Sequence, residues 1–304
     1  MKQVITRIDC SQQLGLPVAY LDKLARMASF LYRTYHIPKK GGGKRVIHHP
    51  TAELKLIQRW ISDRVCNIFT VHDSVYSYRV GRSIADHARV HQGAGFLLRI
   101  DLKNFFPSIS RNDLVEFFRR AELDEVSSDW IASICSYRGG LAIGAPSSPS
   151  LSNAICYKID SRLYSVCRKN GILYTRYADD LYFSTSNKGI LGSIERDVSI
   201  ILRDSKLPSR LRVNRAKTIH SSRRGRMMVT GIVLKPDGIS VGRKRKRHAR
   251  EMVYAWDNLE PHERASLAGL LGFIRDIEPQ YIDRMYIMYG FEKMDKAMRY
   301  SRVE

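Results

Sequence analysis

Apolar residues recur along this chain in two rhythms. Leu21, Leu24, Ala25, Ala28 and Leu31 keep the three-to-four-residue spacing of a helix face, which predicts a helix over Tyr20 to Tyr35. A second stripe of Leu54, Ile57, Trp60, Ile61, Val65 and Ile68 predicts an amphipathic helix over 53–69 with one side in a core. Phe96 to Ile100 is instead an unbroken apolar run, the pattern of a buried strand, which ends in Asp101 and meets Pro107 soon after. RNDLVEFFRRAE predicts a helix capped by its Asn or Asp, with Leu114, Phe117 and Phe118 on its inner face. A Gly/Pro/Ser-rich loop from 139 then runs into a predicted helix from about Ser150 to Arg168. Further helices are expected over 189–204, 249–276 and 279–298, with two or three short strands between 211 and 234.

Two stretches break these rhythms. PKKGGGKRVIHHP sets the basic pairs Lys39, Lys40 and Lys44, Arg45 around three glycines, with Val46 and Ile47 opening a strand. Glycine lets the backbone turn tightly, so the segment reads either as a solvated basic hairpin or as a loop that closes over phosphate. YTRYADDLYFS places two adjacent carboxylates, Asp179 and Asp180, inside a strand-forming run, which predicts a hairpin with the acids at its tip. One reading is a polar turn in solvent. The other is a rigid pair whose mutual repulsion is relieved by a cation, the arrangement that suits Mg²⁺ bound to substrate phosphates.

Composition narrows the partners. The chain has 304 residues, 44% of them hydrophobic, enough for two or three subdomains with sizeable cores. Its 51 Lys and Arg against 30 Asp and Glu give a net charge of +21, which favours a polyanionic partner. No run approaches the roughly 18 apolar residues of a membrane span, and MKQVITRIDCSQQ lacks the apolar centre of a secretory signal, so a cytoplasmic protein facing nucleic acid, with no membrane role, is expected. Five scattered cysteines form neither a disulfide framework nor a CxxC metal site, and His87 and His91, although spaced i, i+4, lack a surrounding metal motif. RKRKRHAR at 243–250 is either a solvated helix face or a grip on phosphates.

Asp101 at a strand end and Asp179 with Asp180 on a hairpin meet only if the two elements lie side by side. Two-metal phosphoryl transfer needs such a meeting, because carboxylates there clamp two ions about 4 Å apart. YADD at 177–180, DLKNFF at 101–106, GAPSSPSLSN at 144–153, GGGKRVIHHP at 41–50 and NRAKT at 214–218 occur in the order in which reverse transcriptases carry their catalytic, loop, fingers-hairpin and basic segments. The chain therefore resembles a reverse transcriptase, most closely the bacterial retron type, which VTG at 229–231 and HARVH at 87–91 favour. Group II intron and diversity-generating enzymes share the catalytic motifs, and a polymerase-derived scaffold that holds an RNA–DNA hybrid against an effector is the rival from another class.

The resemblance implies an α+β right-hand polymerase: an N-terminal region and fingers over 1–90, a palm on a mostly antiparallel sheet with part of the fingers over 91–239, and an α-helical, RNA-binding thumb over 240–304. It implies Asp101, Asp179 and Asp180 as catalytic ligands of two Mg²⁺, with the Leu102 carbonyl as a further ligand. Lys44 and Arg45 would hold the incoming triphosphate, Lys217 the leaving pyrophosphate, and Ala145 would line the nucleotide site. Phe106, either a core residue or a steric gate against a 2′-hydroxyl, falls where the family places an aromatic. RNA would be gripped by Arg223, Arg224 and Arg226 and by Arg243, Lys244, Arg245, Lys246 and Arg247. The implied partners are dNTPs, a structured noncoding RNA primed from a guanosine 2′-hydroxyl, the branched RNA–DNA product and an effector protein, in anti-phage defence. Two positions depart from the pattern: Ile143 stands where Gln is common, and His87 where retron enzymes carry Asn.

Overall fold

A computed structural model describes residues 5–38 and 42–301. Lys39, Lys40 and Gly41 of the basic loop lie outside the described residues. The chain divides into two compact units, one of 1–80, 98–183 and 189–219, the other of 81–97, 184–188 and 220–304. The mixture of helices and sheets is α+β, as the resemblance implies.

In the first unit, helices Arg7–Leu14 and Val18–Met27 precede an antiparallel hairpin of β1 (Tyr32–Pro38) and β2 (Lys44–Pro50). The helix expected to reach Tyr35 thus stops at Met27. After a short 3₁₀ turn at Ala28–Phe30, the aromatic and β-branched run Tyr32, Thr34, Tyr35, Ile37 pairs with β2, and strand pairing prevails over the helical spacing of the preceding residues. Helix Ala52–Ile68 follows, burying Leu54, Ile57, Trp60, Ile61 and Val65 as its stripe predicts.

The central sheet contains β3 (Phe96–Leu102) and, beyond the two-residue pairs β4 (Ser136–Tyr137) and β5 (Gly140–Leu141), β6 (Leu173–Tyr177), β7 (Asp180–Thr185) and β8 (Val213–Ser222), in the order β6-β7-β3-β8. Only Ala178 and Asp179 link β6 to β7, and only antiparallel strands can be closed by so short a turn. Helix Arg111–Arg120 is capped by Ser110 rather than by Asn112 or Asp113. Ser110 Oγ accepts from the Asp113 amide at 3.1 Å while the Asp113 carboxylate accepts from the Ser110 amide at 2.8 Å, which places Asp113 at the third helical position. The single helix expected over 150–168 is two, Ser148–Ile155 and Tyr157–Lys169, separated at Cys156, whose amide turns back to Ser152 and Ala154.

In the second unit, helix Ile84–Val90 packs on a small sheet of β9 (Met228–Val229), β10 (Ile232–Lys235) and β11 (Gly238–Ser240). Four helices complete it: Arg243–Tyr254, Pro261–Ile277, Pro279–Tyr289 and Phe291–Arg299, which bury Val253, Leu267, Leu271, Ile274, Ile282, Met285 and Met294 between them. Among the described residues no helix is long and apolar enough to cross a membrane.

Candidate active site

The tip of the β6–β7 hairpin is clamped from below. Ala178 adopts φ 55°, a left-handed conformation that costs a non-glycine residue about 1 kcal/mol or more. Ser77 Oγ accepts from the Ala178 amide at 2.8 Å and Arg176 Nη1 donates to the Ala178 carbonyl at 3.4 Å, so both sides of the strained residue are held. Arg176 is itself buried, forked onto Asp160 through Nε and Nη2 at 2.8 Å each, with Nη1 also donating to Asn153 Oδ1 at 3.2 Å. Tyr174 OH donates to the same Asp160 at 2.8 Å. Burial works against the Arg176 charge, and Asp160 more than offsets it. The bidentate geometry satisfies both charges without water.

This support sets the acids beside β3. The Leu102 amide donates to the Asp179 carbonyl at 2.8 Å, tying the strand that carries Asp101 to the hairpin tip. Asp101 is 7% exposed. Both of its oxygens are taken by β8: Asn214 Nδ2 donates to Oδ1 at 2.8 Å and Lys217 Nζ to Oδ2 at 2.9 Å. Burial raises the Asp179 pKa and Asp101 adds to the rise, while Lys217 and Arg45 oppose it. For Asp180, burial is again the main cause of a pKa pushed up to about 6, with Asp179 and Asp101 contributing and Arg99 pulling back. Arg99 Nε stands 3.9 Å from Asp180 Oδ1. Asp101 thus adds to the cost that burial sets on ionising Asp179 and Asp180.

The residues expected around a nucleotide gather in the same unit. Arg45 on β2 is near enough to act electrostatically on both Asp179 and Tyr78, whereas Lys44 is exposed beside it. Phe106 is half-buried, its ring 5.4 Å from that of Phe105 and 6.4 Å from that of Tyr78. Ala145 is buried in a loop that Ser148 Oγ fastens by donating to the Ala142 carbonyl at 2.7 Å. The loop lies directly against β2: the His48 amide donates to the Ile143 carbonyl at 2.8 Å, and a Cβ on Gly144 would stand 2.8 Å from the His48 carbonyl oxygen. Gly144, at φ 114°, is therefore required by contact as well as conformation. Ile143 is half-buried at this junction.

Three neighbours of the acids escaped the sequence reading. Arg99 shares a face of β3 with Asp101 by simple alternation, a signal that was available. Asn214 lies inside the NRAKT segment already singled out. Tyr78, at φ 57° and half-exposed, had no signal, because its loop conformation depends on distant contacts.

The cations assigned to RNA lie in the second unit, and they are not equivalent. Arg223 donates to the carbonyls of Ala94 and Gly93, and Arg245 to those of Gly231 and Val241 while stacking 5.3 Å over Phe273. Lys246 pairs with Glu278 and sits 4.7 Å over the Tyr281 ring. Arg247 is exposed and pairs with Glu251 at 3.4 Å, and Arg224, Arg226, Arg243 and Lys244 are exposed. His87 and His91 are buried on helix Ile84–Val90 and its cap, and His91 Nδ1 is 2.7 Å from Ser184 Oγ.

Oxygen donors of this kind suit a hard divalent cation, and Asp180 is raised by burial first and by Asp179 and Asp101 after it, costs a bound cation would offset, so the residues fit such an ion. Among the described residues, no three acidic, His or Cys side chains converge on a ready-made metal cage; Lys217 supplies the charge beside Asp101.

Residues 37–246 match the family described as reverse transcriptase (RNA-dependent DNA polymerase). The chain is 34% identical over 283 residues to the retron Ec83 reverse transcriptase of Escherichia coli, covering 89% of this chain and 90% of that one. It is 32% identical over 299 residues to the retron Ec86 reverse transcriptase of the same organism, covering 95% and 92%. Among solved structures it is similar to a foamy viral protease–reverse transcriptase in complex with double-stranded DNA, with 17% identity, 90% and 44% coverage and a TM-score of 0.46. A family match over most of the chain, and near-full-length likeness to enzymes of one kind, make it an RNA-directed DNA polymerase that uses a divalent metal and a nucleic-acid template: the chain belongs to the reverse transcriptases, with their right-hand fold, and to the retron group among them.

Proposed function

We propose that this protein copies its own structured noncoding RNA, beginning at a guanosine 2′-hydroxyl and leaving a branched RNA–DNA hybrid, in the cytoplasm and as part of an anti-phage system with an effector protein. The observation that carries the reading is the identity with retron reverse transcriptases along nearly the whole length of both chains.

In this reading Asp101, Asp179 and Asp180, with the Leu102 carbonyl, hold two Mg²⁺. Bound there, the ions supply an activated hydroxyl and stabilise the charge on the leaving pyrophosphate. The reaction joins the primer hydroxyl oxygen to the α-phosphorus, breaks the bond to the β-phosphate oxygen and releases a proton. The chain's own residues do the rest. Arg45, with Lys44, holds the triphosphate. Lys217 leaves Asp101 and delivers a proton to pyrophosphate. Phe106, backed by Tyr78, closes the space a ribose 2′-hydroxyl needs. Ala145 and Gly144 let the loop backbone approach the nucleotide. Arg224, Arg226, Arg243, Lys244 and Arg247 grip RNA phosphates, while Arg223, Arg245 and Lys246 shape the surface that carries them.

The test is to incubate the purified protein with the structured RNA encoded beside its gene, Mg²⁺ and dNTPs. Covalent DNA on a debranching-sensitive 2′ linkage is expected. Asp179→Asn should reduce incorporation about a thousandfold or more, the loss of roughly 4 kcal/mol of transition-state stabilisation, with RNA affinity unchanged. Incorporation unchanged in that variant removes the acids from the mechanism, and a product joined through a 3′ oxygen removes the priming.

A further inference from the structure

A cleft of about 610 Å³ opens in the first unit, and none of its lining residues belongs to the acid cluster or the nucleotide contacts. Its floor is apolar. Phe69 and Phe117 pack with ring centroids 4.8 Å apart, and Ile155 and Ile159 lie buried beside them. Its rim carries Lys158, Arg162 and Lys206, all exposed and none with an ion-pair partner among the described residues. Of the remaining charges in the lining, Arg120 pairs with Glu116 at 2.8 Å and Asp204 with Arg203 at 3.0 Å. The cleft therefore combines uncovered apolar surface with three uncompensated cations. Lys158 and Arg162 lie i, i+4 on helix Tyr157–Lys169, on the side of the helix that borders the floor.

We propose that this cleft is a docking site for an acidic peptide segment of a partner protein, with an aromatic or long aliphatic side chain seated on Phe69 and Phe117 and flanking carboxylates on the rim lysines and arginine. Charge selects the partner's sign, and the floor selects its anchor. An apolar anchor in a preformed pocket surrounded by polar contacts is the usual form of a protein-binding hot spot. A nucleotide matches the rim but not the floor. The hydroxyl-bearing residues lining the cleft are Thr70, Tyr157 and Ser205, and the Ser205 hydroxyl already donates to the Leu207 carbonyl at 3.0 Å. A base would stack on the rings by its face, but the one carboxylate in the lining that could accept from its amino groups, Asp204, is already paired with Arg203, whereas a hydrocarbon side chain needs no such partner. The inference is independent of the polymerase chemistry, since it uses none of the same residues.

Selection of a random dodecapeptide display library on the immobilised full-length protein tests it. The expected winners share an aromatic or leucine-like residue flanked by Asp or Glu. A synthetic winner, labelled with a fluorophore, should bind saturably by anisotropy. The double variant Lys158→Glu/Arg162→Glu changes exposed residues only; it should weaken that peptide about tenfold or more, since rim charges set to repel oppose the bound state. Ala121→Trp, which fills the cleft from its wall, should block the peptide, and the charge variant keeps the test decisive if this one fails to fold. DNA synthesis on a primed RNA template should be unchanged in the charge variant. No enrichment, winners without acids, or winners indifferent to the charge variant would overturn the proposal. So would a charge variant that weakens a fluorescent oligouridylate while leaving the peptide untouched, which would assign the cleft to nucleic acid.

Discussion

Two clusters of like titratable groups are buried in this molecule, and burial acts on them in opposite senses. Asp179 and Asp180 lie at the turn and first β7 position of a hairpin in the first unit, beside Asp101 on β3, where poor solvation lifts the Asp180 pKa to about 6. His87 and His91 lie in the second unit with rings 5.6 Å apart, and burial pushes each down to about 3. The histidines are neutral at physiological pH and cost the fold nothing there. Asp180 is mostly charged at the same pH, although burial opposes it there and at Asp179. A cluster whose charge its surroundings oppose is a candidate for a cation, as proposed above; one that discharges is core. The sequence already separated them in part: the histidines lack a surrounding metal motif, and the acids sit in a strand-forming run that ends in a hairpin.

The largest consequence is an acid-sensitive second unit. The folded pKa of each histidine lies below its ordinary 6.5, so the unfolded chain binds more protons between pH 6.5 and about 3. Stability is full above pH 6.5 and is lost as pH falls through that window, by about 1.4 kcal/mol per pH unit for each histidine. Chemical denaturation at pH 7.5 and pH 5 should show the loss, and His87→Asn should remove about half of it. A midpoint that does not move between those pH values would show that the pair is not neutral in the fold.

Next in size is the clamp beneath the acids. Arg176→Met leaves Asp160 buried without its partner, which typically costs about 3–5 kcal/mol. It also frees the Ala178 carbonyl at the strained tip. A variant with unaltered thermal stability would mean that Asp160 finds water or a proton at little cost. If the polymerase rate falls further than stability explains, the clamp also positions Asp179.

How much of this could be read in the sequence depended on how far apart the partners lie. The amphipathic helix at Ala52–Ile68 and the hairpin carrying Asp179 follow from local periodicity and propensity, and both are present. The end of the helix at Met27 and the break at Cys156 were not legible, because tertiary pairing of β1 and the local backbone at Cys156 decide them. At the site, the three acids were legible as residues, and their order along the chain matched a known family. Their supports were not. Asp160 reaches Arg176 across 16 positions and Asn214 reaches Asp101 across 113, and no local pattern announces either. The basic run 243–250 shows the opposite failure: a uniform stretch of sequence divides into exposed cations and two that are spent on the fold, Arg245 and Lys246.

The smallest effect separates the two clusters most directly. Without metal, Asp180 has a folded pKa near 6 against an ordinary 3.8, so the folded chain holds the proton more tightly. The stabilisation this gives is complete below pH 3.8 and disappears as pH rises through about 6, so at pH 8 the ionised group works against the fold. Asp180→Asn keeps the shape and removes the charge. In metal-free buffer at pH 8 it should raise stability by about 1–2 kcal/mol, the full shift being discounted for partial exposure and for the attraction to Arg99 that is lost with the charge. That corresponds to about 2–4 °C in melting temperature. The gain should vanish at pH 4, where the native residue is protonated as well. Adding Mg²⁺ should raise the melting temperature of the wild type and leave Asp180→Asn almost unmoved, because the charge that made the site costly is also the charge that holds the ion. A variant less stable than wild type at pH 8 would mean that Arg99 already compensates Asp180 in full, and that the cluster is a structural ion pair like Arg176 with Asp160.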